Sequence, residues 1–250
     1  MTEATEVDTT RKPIWGVLLA AAIGCVMLVG LGTWQLQRLH WKEGLIARIE
    51  ARTKASPIDL AAAVRQWQET GDVEYLHVRA QGRFEGQDNF YFIAGDAGAG
   101  YHVYTPLRTA TGDVLIVNRG FIADTRLPAE GQSYSRPAGE VTVTGLVRAS
   151  EALTWFSGAA PHPGATRPWL TRDLKGMADR TGLAGLTDGG KLVPFFLDLD
   201  RTGASSDPQG GTTRLEIPNR HLEYALTWYG LAVTLVVMTG LFIASRRRQI

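Results

Sequence analysis

Of the five histidines in this 250-residue chain, His40 and His221 stand beside long apolar runs. Imidazole nitrogens are good ligands for transition metals, so these two are placed to grip a metal centre at the edge of an apolar medium. Tyr224, Ala225 and Trp228 follow His221 at spacings of three, four and seven. If a helix starts by Arg220, the four side chains form one stripe. Arg220 precedes the histidine, and Arg38 stands at the matching end of the other run. Guanidinium groups hold carboxylates through charge-assisted hydrogen bonds. The pattern is an imidazole at a polar rim, aromatic rings one and two turns deeper, and two cations beside it. A commoner use of Trp34, Trp41, Trp228 and Tyr229 is a belt at lipid headgroups. A plain interfacial role is likewise the commoner one for a histidine beside a span, and His40 reads as a solvated rim residue.

Other polar residues offer less. Asp198 and Asp200, two apart on a strand, face the same way, but one carboxylate pair without a third oxygen cluster is a thin basis for a cation. Asn118-Arg119-Gly120 reads as a strand end and turn, and His102 as an ordinary paired imidazole. Glu223 either caps the second helix or pairs with Arg220. The single cysteine, Cys25, lies inside an apolar run, which excludes an intrachain disulfide, a Cys-x-x-Cys pair and a thiolate cage. With only four scattered methionines besides, soft ligands for Cu(I) are lacking. No Gly-x-Ser-x-Gly elbow, His-Glu-x-x-His helix or phosphate-binding loop occurs, so the chain reads as a non-enzyme. Lys plus Arg number 26 against 25 Asp plus Glu, a balance that does not fit a nucleic-acid binder.

The elements that must position the rim follow from hydropathy. Ile14 to Leu36 and Ala225 to Ala244 carry no charge, and helices of that length reach about 30 Å, the thickness of a bilayer's hydrocarbon core. The first run is too long for a signal peptide's core, and its only small-residue stretch, Ala20 to Ala22, lies mid-run, so it reads as an uncleaved anchor. Glu3, Glu6 and Asp8 argue against an organelle transit peptide and for a bacterial plasma membrane. Arg11 and Lys12 on the terminal side are offset by Arg38, Lys42, Arg48 and Arg52 after the first span, so the charge count alone is indecisive, and the uninterrupted Arg246, Arg247 and Arg248 tip it toward cytoplasmic termini. Gly16, Ala20 and Gly24 make a small-residue stripe for close helix approach, and Gly30 and Gly32 leave room nearer the rim. Leu39, Leu45, Ile46 and Ile49 continue the helical spacing beyond the first span.

Between the spans, Ser56, Pro57 and Asp59 read as cap, first position and first-turn acid of a short helix to about Trp67. Short β runs follow at Val73 to Phe84, Phe90 to Ala94, Tyr101 to Arg108, Val114 to Asn118, Glu140 to Ala149, Lys191 to Asp198 and Thr212 to Ile217, punctuated by turn signals. Leu170 to Arg180 reads as one more helix, Pro128 to Pro137 and Ser157 to Pro168 as loops. The fold class is a membrane protein whose two transmembrane α-helices flank an α+β soluble domain built mainly on an antiparallel β-sheet or partial barrel. The segments are a tail at 1–13, a first transmembrane helix at 14–36, a β-rich domain at 37–220, a second transmembrane helix at 221–244 and a basic tail at 245–250.

Three segments resemble the surfeit locus protein 1 family of cytochrome c oxidase assembly factors. They are Leu31-Gly32-Thr33-Trp34-Gln35-Leu36-Gln37-Arg38 with Trp41-Lys42 beyond, then Val117-Asn118-Arg119-Gly120-Phe121-Ile122 preceded by Tyr104-Thr105-Pro106-Leu107, and Asn219-Arg220-His221-Leu222-Glu223-Tyr224-Ala225-Leu226-Thr227-Trp228-Tyr229-Gly230. Gly82-Arg83-Phe84 also fits, and the likeness covers roughly residues 14 to 245. The resemblance implies an inner-membrane protein whose domain 37–220 is extracytoplasmic, periplasmic in a bacterium. It implies a role in maturing subunit I of a haem-copper oxidase alongside the haem a synthesis machinery, with haem a bound as cargo and His221 as its axial ligand.

The rim residues are compatible with that cargo. Imidazole is a regular haem-iron ligand, a flat macrocycle could stand edge-on beside Tyr224 and Trp228, and Arg38 and Arg220 could hold its propionates. The same aromatic and small-residue stripes would equally serve a structural chaperone that steadies nascent subunit I without transferring haem.

Overall fold

The computed structural model describes residues 14–95, 98–129, 132–151, 168–183, 190–201, 203, 207–213, 215 and 217–248. The elements are α1 (Trp15–Lys54), β1 (Ile58–Asp59), α2 (Leu60–Thr70), β2 (His77–Phe84), β3 (Asn89–Gly95), β4 (Gly98–Thr109), β5 (Val114–Ala123), β6 (Glu140–Arg148), α3 (Leu174–Arg180), β7 (Leu192–Leu199) and α4 (His221–Arg247). They fall into two compact units, one of residues 1–48 with 216–250 and one of residues 49–215.

In the first unit, α1 and α4 are both long and apolar enough to cross a membrane. At 1.5 Å per residue the 40-residue α1 is about 60 Å long, twice a hydrocarbon core, so it continues well past the apolar run. Among its shielded positions Leu18, Ala21, Cys25, Leu28, Gly32, Gln35, Leu39 and Lys42 follow alternating steps of three and four, with Gly24 and Leu36 beside them. On α4 the matching set is His221, Ala225, Trp228, Ala232, Leu235 and Thr239. A mean step of 3.5 keeps one face of each helix turned to its partner. This seam replaces the four-residue stripe read from Gly16, Ala20 and Gly24. A step of four drifts about 40° around the helix each time, and only Gly24 reaches α4: a Cβ there would lie 3.2 Å from Leu235. Nothing lies within 4 Å of a Cβ built at Gly16 or Gly30.

The second unit is a closed barrel. Its five strands run β2, β6, β7, β5, β4 and back to β2, with β1 and β3 added on the outside. The expected antiparallel sheet is therefore complete rather than partial, and it contains a parallel pair, β5 with β7. Closure rests on Gly82, which pairs with Val141 of β6 and with Thr109 of β4. A Cβ there would stand 2.3 Å from the Arg108 carbonyl oxygen, so only glycine lets the two strands meet.

β2 alternates buried and exposed residues in the usual two-residue period, and its inward side chains Val78, Ala80 and Phe84 join Leu107, Leu115, Val117, Val143, Val147, Val193, Phe195 and Leu197 in the barrel core, with Ala63 of α2 packed among them. β4, β5 and β7 are buried on both faces. Their outward residues Tyr104, Val114, Ile116 and Phe196 pack with Trp169 and with Leu174 and Met177 of α3. Burial on both sides explains why these strands read as near-continuous apolar runs.

Three local expectations are corrected. Helix α2 starts at Leu60 with Asp59 as its N-cap, because Ile58 and Asp59 pair in parallel with Val78 and Arg79 and so cannot be a first turn. The third helix begins at Leu174 rather than Leu170. Among the described residues of Thr212 to Ile217 there is no strand; the chain nearby makes only an isolated bridge between Phe121 and Gln209. The loop read at Ser157 to Pro168 lies outside the described residues save Pro168.

Candidate functional site

The helix pair carries the rim. Running from α1 toward its polar end, Gly24 meets Leu235, Gly32 meets Tyr229 and Gln35 meets His221, so positions descend on α4 as they climb on α1 and the hairpin is antiparallel. Gly32 is the tight point: a Cβ there would lie 2.9 Å from the Tyr229 ring. The Tyr229 hydroxyl lies 3.1 Å from Thr33 Oγ1. Beyond the rim Lys42 donates its ammonium to the Pro218 carbonyl.

His221 is the first residue of α4 and is half-buried. Its Nδ1 lies 2.7 Å from Gln35 Oε1 across the helix pair. An amide oxygen only accepts, so Nδ1 carries the proton. Nε2 is the nitrogen left over, and among the described residues it meets no hydrogen-bonding partner. A metal binds imidazole through such an open nitrogen. Ala225, one turn deeper, is fully buried against α1. Tyr224 is 51% exposed and Trp228 half-buried, so within the expected stripe Ala225 takes the seam and Tyr224 an open flank.

Both arginines are at the surface and engaged. Arg220 Nε donates to Glu223 Oε2 at 3.0 Å, which answers the question of what Glu223 does. The Arg38 guanidinium stacks over the Trp41 ring at 3.9 Å. Both contacts are open to solvent and screened by it, so a carboxylate ligand could recruit either cation at little cost. Among the described residues no hydrogen-bond donor meets the buried Asn219 side-chain oxygen, a condition that a ligand or ordered water commonly relieves. His40 uses Nδ1 on the Leu36 carbonyl of its own helix, 2.8 Å away.

A family model described as the SURF1 family matches residues 22–233 of this chain. Surfeit locus protein 1 of Mus musculus is 36% identical over 236 residues, spanning 87% of this chain and 71% of the mouse protein. The chain belongs to the SURF1 family. Surfeit locus protein 1 of Homo sapiens is 33% identical over 249 residues, 92% of this chain and 77% of the human protein. The SURF1-like protein of Drosophila melanogaster is 31% identical over 240 residues, 87% of this chain and 73% of the fly protein.

The span matched by the SURF1 family model takes in both the rim and the barrel. In this SURF1 chain Gln35 and Thr33 escaped the reading of the rim, although the signal was present. A glutamine set in an apolar run must find a partner, and Gln35 falls seven residues from both Leu28 and Lys42, on the seam. The barrel holds a second polar cluster with a different character. Asn118 Nδ2 donates to Asp198 Oδ1 at 3.0 Å, Thr213 Oγ1 donates to Asp198 Oδ2 at 2.8 Å, and His102 Nε2 lies 3.1 Å from Thr212 Oγ1. Asp200 pairs instead with His77 at 2.8 Å, so the two carboxylates serve separate partners. Among the described residues no group of three or more His, Cys, Asp or Glu side chains could hold a metal ion. The satisfied barrel cluster fastens strands; the rim leaves a ligand atom open.

Proposed function

We propose that this protein is an assembly factor for haem-copper cytochrome c oxidase that binds haem a at the membrane face and assists its insertion into subunit I. The observation that carries the reading is the His221 ring, held at Nδ1 by its bond to Gln35 and open at Nε2. The donor set fits the cargo: one imidazole for the iron, Tyr224 and Trp228 on the same helix for the macrocycle, and Arg38 and Arg220 for the propionates. One protein ligand holds such a cargo without trapping it, which transfer requires. The protein's part is to bind, orient and release, with no reaction catalysed.

The topology proposed with it has both termini in the cytoplasm and the barrel outside the bacterial plasma membrane. Arg246, Arg247 and Arg248 at the end of α4 support that orientation. Subunit I and the haem a synthesis machinery are the partners.

Purification from a host that makes haem a tests the reading. The wild-type protein should carry a haem chromophore, and His221→Ala should lose most of it while remaining membrane-inserted at normal level. Full haem in His221→Ala would remove the imidazole from the site. No chromophore in either protein would favour a structural chaperone that steadies nascent subunit I.

A further inference from the structure

We propose that Gln35 is a positioning residue that fixes the tautomer and rotation of the His221 ring and thereby commits Nε2 to the iron. The inference rests on the reading of His221 as a haem ligand and adds how that ligand is prepared. A ring free to rotate offers either nitrogen, and its preference in water is weak. The 2.7 Å bond to the Gln35 amide oxygen removes the choice, because Nδ1 must donate. Metal-bound histidines regularly donate their second N–H to a carbonyl or carboxylate, which orients the ring and raises its basicity. Here that acceptor comes from the other helix.

The helices are joined on either side of Gln35. On one side the Tyr229 ring lies against Gly32, with the Tyr229 hydroxyl at Thr33 Oγ1. On the other side Lys42 binds the Pro218 carbonyl. With the helices pinned above and below, the two backbones stand at the spacing that lets the amide reach the imidazole.

The test uses the full-length protein in detergent, titrated with haem a, and compares wild type with Gln35→Leu, Gln35→Glu and His221→Ala. Gln35→Leu should weaken haem affinity about 10–100-fold and broaden the electron paramagnetic resonance signal of the ferric complex as the ring loses its fixed orientation. Gln35→Glu should keep the affinity and lower the reduction potential of the haem, because a carboxylate acceptor makes the ring a stronger donor. Should His221→Ala lose the axial-imidazole signature while both Gln35 variants match wild type in affinity, signal shape and potential, the positioning role is overturned and the ligand stands. An unchanged signature in His221→Ala overturns both. If Gln35→Leu fails to fold, the potential of Gln35→Glu decides alone.

Discussion

His77 donates through both ring nitrogens, Nδ1 to the Ala55 carbonyl at 2.9 Å and Nε2 to Asp200 Oδ2 at 2.8 Å, which only an imidazolium can do at once. Burial of the ring opposes the charge, but the bonds to Asp200 and Ala55 outweigh it and hold the proton above the ordinary histidine range. A raised folded-state value means the pair's contribution is fully present below the unfolded value, near pH 6.5, and is lost as pH rises through the folded one. Asp200→Asn should therefore lower the melting temperature more at pH 6 than at pH 9; an equal loss at both would show that the ion pair contributes nothing. His102 answers with the opposite sign. Burial outweighs the charge of Asp198 and pushes its affinity for protons down, so stability falls as pH drops below about 6.5. His102→Gln should flatten that acid limb in a series of melts across pH 5 to 7. Neither behaviour was legible from the sequence, where both residues are single histidines on strands whose charged partners, Asp200 and Asp198, arrive from a distant strand end.

Single elements fail through their glycines. Gly120 adopts a φ of +124°, and a Cβ there would stand 2.1 Å from the Gln209 carbonyl oxygen. Gly120→Ala combines backbone strain with a clash, so it should cost more than about 2 kcal/mol and lower the domain's melting temperature by at least about 4 °C. In the helix pair, Gly24→Cys with Leu235→Cys in a Cys25→Ser background should form a cross-link. Adding Gly32→Leu should abolish it, because the new side chain must displace the Tyr229 ring. Cross-linking at undiminished yield in that quadruple variant would mean that the tight point at Gly32 does not set the pairing. The elements themselves were largely readable, since strand alternation and the two apolar runs are local patterns. What escaped were non-local facts: the step of 3.5 along the helix seam, set by the partner helix, and barrel closure, which depends on β2 meeting β4 at Gly82. Gly82-Arg83-Phe84 was visible as a motif, yet nothing in its own neighbourhood announced a second strand against it. At the rim His221 and its arginines were legible by type, whereas Gln35 became meaningful only once a helix from the far end of the chain stood opposite it.

At the scale of the whole molecule, the chain divides into a helical unit that contains the rim and a barrel unit of residues 49–215. The barrel has its own core, and its polar cluster is satisfied, so a fragment of residues 49–215 should unfold in one cooperative transition and take up no haem a. Haem binding by that fragment at the affinity of the full chain would move the site off the helices. The parallel neighbour relation of β5 and β7 also bears on how the polypeptide is made. β7 sits between β6 and β5, so while the ribosome is still travelling from Arg148 to Leu199 two hydrogen-bonding edges have no mate. At about 5–20 residues per second that interval lasts roughly 3–10 s. Throughout it, the nascent barrel is an open ribbon whose edges invite mispairing, and quality-control machinery has its best opportunity to bind.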